Sequence, residues 1–131
     1  MSPLEHLTRH SDARGHLVSL TSQVDVPFVI RRVFWIYGNA AGSDRAGHAS
    51  TVTTELLVCL AGSCRARTEG PDGEDDVVLD RPDAALLVPP GTWLDLSDFT
   101  PDCVLLVLTD TDYRPDATIT SRAALRSWAS S

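Results

Sequence analysis

In the stretch GHASTVTTE, residues 47 to 55, an imidazole, a hydroxyl and a carboxylate fall within eight residues: His48, Ser50 and Glu55. An imidazole titrates near ambient pH, so it accepts and returns protons readily. The spacing is that of a metal site, yet Ser50 stands where a second histidine would be. A serine hydroxyl is a weak neutral ligand, and His48 with Glu55 alone falls short of the ligand count that a divalent ion needs. The metal reading therefore fails, and what is left is a metal-free pocket in which His48 is the first candidate for a functional role. The plain alternative is a structural histidine bonded to a backbone carbonyl.

RRVFWIY, residues 31 to 37, alternates as a strand. Arg32, Phe34 and Ile36 share one face, and Arg31, Val33, Trp35 and Tyr37 the other. Trp35 and Tyr37 are assigned inward, towards the cavity, with ordinary aromatic core as the alternative. Trp93 lies in PPGTW, a tight turn entering a strand, and is expected at the cavity mouth. Glu55 reads as a pocket carboxylate. Ser50, Cys64 and Ala66 facing inward would leave a roomy cavity with few polar groups, suited to a large apolar ligand.

These residues need a rigid frame. The chain has 131 residues, 43% of them hydrophobic, which is enough for one compact domain over 1–131. Short β-rich runs near LEHL, HLVSL, VIRRVFWIY, ELLVCLAG, SCRARTE, DDVVLD, ALLVP and CVLLVLT alternate with turn signals, the pattern of an all-β sandwich or barrel. CVLLVLT is apolar almost throughout and should be a central strand. In EGPDGED, Pro71 presets a turn and Gly73 accepts positive φ. Only the tail, TSRAALRSWAS, carries a capping residue followed by helical spacing, and a short C-terminal helix is expected there.

Charge and cysteine usage narrow the function. Eleven Lys and Arg against 18 Asp and Glu give a net charge of −7. Such a surface lacks the electrostatic footprint for nucleic acid or an anionic membrane. No segment approaches the ~20 apolar residues of a membrane span, and MSPLEHLTRHSDARG has no signal-like apolar core. Cys59, Cys64 and Cys103 make an odd count beside apolar runs, which fits buried free thiols in a reducing, cytoplasmic compartment. An N-terminal strand such as PLEHLT has little to pack on alone, so self-association is expected.

The spacing Gly42, His48, Ser50, Glu55, Gly62 matches the first cupin motif, with the second histidine replaced. PPGTWL matches the Pro-x-Gly turn of the second motif, with Leu94 at its histidine position. Over residues 3 to 115 the chain resembles the dTDP-4-keto-6-deoxyhexose 3,4-ketoisomerases. The likeness runs through SDARGHLVSL, VPFVIRRVFWIY, DRAGHAS, LLVCLAGSCRAR and PPGTWLDLSDFTPDCVLLVLTDTDY. It implies a small cupin, or jelly-roll β-barrel, without metal or cofactor, forming a homodimer that exchanges an N-terminal strand. Members carry Arg-Gly-x-His-Ala-His, whose two histidines are implicated in proton transfer. In RAGHAS, Arg45, His48 and Ala49 match, while Ala46 replaces the Gly and Ser50 the second His.

By that resemblance the protein is an isomerase acting on a nucleotide sugar, of the kind used in secondary metabolism. His48 is the base, Tyr37 donates to the sugar oxygen, and Arg45 stabilises enolate or phosphate charge. Trp35, Ser50, Glu55 and Trp93 contact the substrate. Two rival readings accompany it. One is a cupin repurposed as a cyclase or lyase on a polyketide-like substrate, working by positioning. The other is a ligand-binding cupin without catalysis.

Overall fold

The structure is a computed structural model describing residues 3–131; Met1 and Ser2 of the expected 1–131 domain, and the side chain of Ala46, lie outside the described residues. The described residues form twelve strands: β1 Leu4–His6, β2 His10–Asp12, β3 Gly15–Leu17, β4 Arg32–Tyr37, β5 Arg45–Ser50, β6 Glu55–Ala61, β7 Cys64–Gly70, β8 Gly73–Leu79, β9 Ala84–Val88, β10 Trp93–Ser97, β11 Val104–Thr109 and β12 Thr118–Ile119. An α-helix, α1, covers Arg122–Ala129, and the Ser121 hydroxyl accepts from the Ala124 N–H at its start.

The strands form two five-stranded antiparallel sheets, ordered β1-β9-β6-β11-β4 and β12-β5-β10-β7-β8, with β2 and β3 as a separate ribbon. The all-β fold and C-terminal helix agree with the sequence. The ladders of the two sheets do not join, so the architecture is a two-layer sandwich rather than a closed barrel. CVLLVLT forms β11, which pairs with β4 on one side and β6 on the other. The two inner faces share a core that includes Leu57, Cys59, Cys64, Ala66, Leu96 and Leu105. All three thiols are free and buried, and the Cys59 and Cys103 sulfurs approach to 3.8 Å.

Register decides which face of β4 looks inward. Ile36 lies opposite Leu105 and Phe34 opposite Val107, both core residues of β11. Directly opposed residues of an antiparallel pair share a face, so Phe34, Ile36 and Arg32 point to the interior. Trp35 and Tyr37 point the other way and are 59% and 69% exposed. Alternation sorted the strand into the right two sets, but the inward assignment of Trp35 and Tyr37 is reversed.

Gly62, the last glycine of the sequence motif, has φ +64°. A Cβ there would meet the Thr100 hydroxyl, the Asp102 carboxylate at 2.6 Å and the Cys103 amide at 2.8 Å. Only glycine fits this close approach of the β6–β7 turn to the loop before β11.

The N-terminal segment is tied down at Asp83, a buried carboxylate just before β9. Arg81 donates to both its oxygens, at 2.5 and 2.9 Å. Arg9 lies 3.7 Å away, and the Leu7 amide donates to the Asp83 carbonyl. The Arg81 hydrogen bonds outweigh burial and hold the Asp83 carboxyl down at about 2, below its ordinary 3.8. A depressed carboxylate contributes stability above its unfolded pKa and loses it as pH falls through the folded value. Asp83→Asn should therefore unfold at lower urea than the parent at neutral pH. The gap should close as the pH is lowered from about 4 towards about 2, the interval between the two pKa values.

Candidate active site

A cleft of about 460 Å³ opens at one end of the sandwich. Its walls come from both sheets: Arg32 and Phe34 from β4, His48 and Ser50 from β5, Glu55 from β6 and Thr109 from β11. The segment from Asp112 to Thr120 closes one side, contributing Tyr113, Arg114, Pro115 and Thr118.

His48 owes its placement to a bulge. Leu94 of β10 lies opposite His48, while Asp95 lies opposite Ala46, so Gly47 is an extra residue in β5. Gly47 has φ +67°, the left-handed geometry of a bulge glycine. The bulge puts His48 on the face of Leu94, which belongs to the interior core. Leu94 therefore packs as core at the position where the second motif would place a histidine.

Glu55 opens β6 in the other sheet, paired with Val88 and Thr109. Its Oε1 lies 3.8 Å from His48 Nε2, with side-chain exposures of 14% and 33%. The imidazole of one sheet thus faces the carboxylate of the other across the cleft.

Ser50 lines the cleft, but its hydroxyl oxygen accepts from the Val52 and Thr53 amides, at 3.2 and 3.0 Å. It builds the turn that carries the chain from one sheet to the other. A hydroxyl committed as an acceptor to two amides, with no base to activate it, is no substitute for an imidazole.

Four expected site residues lie elsewhere. Trp35 and Tyr37 occupy the outer face of the first sheet. Arg45 is exposed at the start of β5, where its Nε donates to Asn39 Oδ1 at 3.1 Å. Trp93 is buried, yet on the outer side of β10, because Leu94 and Leu96 take the inner one. The Trp93 indole N–H donates to Asp95 at 3.0 Å, and the Arg122 guanidinium covers the ring at 5.0 Å. Cys64 and Ala66 are sealed in the core, so they widen no cavity.

The cleft is also more charged than the sequence suggested. Arg32 stacks on the Phe34 and Tyr113 rings at 4.5 and 5.0 Å. Among the described residues no carboxylate pairs with it. Arg114 is engaged by Asp116 at 2.9 Å. The cleft thus carries the Arg32 guanidinium and the Tyr113 phenol, where the sequence had pointed to Arg45 and Tyr37. The alternation of β4 could have revealed Arg32 once the inner face was known. DTDYRPDATIT carries no periodic signal, so nothing marked it as a cleft wall.

Among the described residues, no group of three His, Cys, Asp or Glu could hold a metal ion. A two-layer antiparallel frame with an imidazole and a carboxylate facing in one cleft is that of a small cupin-like protein. The family model "FdtA: WxcM-like, C-terminal" matches residues 2–128, and the chain belongs to that family.

The relatives agree with this. The TDP-4-oxo-6-deoxy-alpha-D-glucose-3,4-oxoisomerase of Aneurinibacillus thermoaerophilus is 36% identical over 107 residues, 78% of this chain and 77% of that protein. The sugar 3,4-ketoisomerase QdtA of Thermoanaerobacterium thermosaccharolyticum, solved with TDP, superposes with a TM-score of 0.92 at 31% identity, covering 97% of this chain and 93% of that one. The TDP-fucose-3,4-ketoisomerase WlaRA of Campylobacter jejuni gives 0.87 at 25% identity, covering 93% and 90%. The ketoisomerase resemblance read from the sequence is thereby confirmed.

Ser50→Ala removes the acceptor for two turn amides and should lower the unfolding free energy by about 1 kcal/mol. Urea titration should show Ser50→Thr, which keeps the hydroxyl, recovering most of that loss. Equal stability of the Ala variant and the parent would remove Ser50 from the turn's support.

Proposed function

We propose that the protein is a TDP-sugar 3,4-ketoisomerase that moves the keto group of a TDP-4-keto-6-deoxyhexose from C4 to C3 by acid/base chemistry centred on His48. The supporting observation is that a chain 36% identical to a TDP-sugar oxoisomerase keeps an imidazole on the wall of its cleft. The donor set in the cleft, His48 and Glu55, falls short of what a divalent ion requires, which supports a metal-free reaction. We read the sandwich as a jelly-roll cupin frame forming one domain.

In this reading the Arg32 guanidinium, which no carboxylate pairs among the described residues, receives the diphosphate. The sugar then lies against His48, which removes the C3 proton and leaves an enediolate. His48 returns the proton to C4 on the same face. One group carries the proton both ways, so it must accept and release it readily, as an imidazole does. The charged lining gives no support to the polyketide-cyclase alternative.

The direct test is to incubate the protein with TDP-4-keto-6-deoxyglucose and follow the sugar by NMR. The 3-keto product is expected, and His48→Asn should slow its formation by about 10²–10⁴-fold. No conversion by the parent protein, or full activity in His48→Asn, would refute the reading. TDP alone should raise the melting temperature of both.

We also propose that the protein works as a homodimer in the cytoplasm, where free thiols such as its three persist. Val33, Trp35 and Tyr37 form an exposed stripe along the outer face of β4, of the kind that marks an interaction surface. Within the chain β1 pairs with β9, and a partner's β1 could supply the same ladder by exchange. Light scattering should give a dimer, and Trp35→Asp should shift it towards monomer. A monomeric parent would contradict this.

A further inference from the structure

Moving a keto group between adjacent carbons needs two proton transfers. One proton passes from C3 to C4. Another passes from the hydroxyl oxygen at C3 to the oxygen at C4. One imidazole can carry the first in both directions, but the second needs a group that accepts from one oxygen and gives to the next. Ser50, at the position of the second motif histidine, is committed to the Val52 and Thr53 amides. His48 is committed to the carbon.

Glu55 has the attributes required. Its carboxylate is largely withdrawn from solvent yet lines the cleft. Among the described residues it accepts no hydrogen bond, and its one charged neighbour at ion-pair range is His48 Nε2 at 3.8 Å. A carboxylate held this way does no visible structural work, and its oxygens are left for a ligand. Asp112 and Tyr113, the other acidic groups of the cleft, belong to the segment that closes its side. Of these acidic groups, Glu55 is the one whose carboxylate faces His48 across the cleft, at 3.8 Å.

We propose that Glu55 is a catalytic residue of the same reaction and carries the oxygen-to-oxygen proton; this rests on the ketoisomerase reading above. The balance is as follows. His48 takes the C3 proton, the C3–H electron pair becomes the C3=C4 bond, and the carbonyl pair moves to the C4 oxygen. Glu55 takes the proton of the C3 hydroxyl and hands it to the C4 oxygen. The O–H pair left on the C3 oxygen becomes the new carbonyl. The C3=C4 pair then takes the proton held by His48 at C4. Both side chains end as they began, and no electrons leave the sugar.

The two transfers can be read separately in deuterium oxide. Product formation reports both, whereas deuterium entering C3 of recovered substrate reports the carbon step alone. In Glu55→Gln, product formation should fall by about 10²-fold or more, while deuterium entry at C3 stays within about threefold of the parent's. His48→Asn should lose both signals. Glu55→Asp keeps a carboxylate and should be faster than Glu55→Gln, a rescue that a purely structural role would not give. Full product formation by Glu55→Gln, or an equal fall in both signals, would overturn the assignment of Glu55 alone. A parent protein that neither forms product nor takes up deuterium would overturn the ketoisomerase reading itself.

Discussion

The chemistry depends on how the chain turns a corner between its two sheets. β5 ends at Ser50 in one layer, and β6 begins at Glu55 in the other. The intervening residues are pinned on several sides. The Ser50 hydroxyl accepts from the Val52 and Thr53 amides. The Thr54 amide donates to Asp110 Oδ1 at 2.8 Å, and the Thr53 and Thr111 hydroxyls meet at 2.7 Å. Backbone groups close around the corner as well, the Thr51 amide donating to the Ala117 carbonyl. These bonds fix the distance between the last residues of β5 and the first of β6. The facing of His48 and Glu55 follows from that distance.

The corner explains why a serine is compatible with this position. In the family signature two histidines flank an alanine; here the second is exchanged for a side chain that serves the backbone. The gain is local order, and the loss is a proton carrier. In the proposed mechanism the carboxylate across the cleft, 3.8 Å from the remaining imidazole, supplies the missing group. The rest of the frame keeps this pair in place. Gly47 adds the extra residue that turns His48 inward, and Leu94 fills the space behind it. Arg122 anchors the tail by pairing with Glu69 and with Asp95 at 3.0 Å. That anchoring holds the preceding segment, with Pro115 and Thr118, against the cleft.

Much of the frame was legible in the sequence, because the core strands are apolar and turn residues punctuate them. Each of the eight runs read as strands overlaps one. The strands missing from those runs are β2, β5 and β12, whose residues are small, polar or few, while β10 was met only as the strand that the PPGTW turn enters. β5 is RAGHAS, with a glycine bulge in the middle, and no periodicity survives there. His48, Ser50 and Glu55 were found as a cluster because their separation along the chain is short. Arg32 and Tyr113 were not, since their meeting depends on which face of β4 the register with β11 turns inward. Alternation gives two faces but cannot say which is buried when both carry aromatic residues. Trp93 shows the same limit: its burial was foreseeable, whereas its cover, Arg122, comes from a helix almost thirty residues further along.

The central claim is that one corner places an imidazole and a carboxylate on the same sugar. A crystal structure with TDP-4-keto-6-deoxyglucose bound to the catalytically slow His48→Asn protein tests it most directly. The account expects the C3 carbon to face residue 48, with the Glu55 carboxylate within about 3.5 Å of the oxygens on C3 and C4, close enough to react. A sugar ring bound outside the cleft, or a Glu55 side chain turned away from both oxygens, would contradict it.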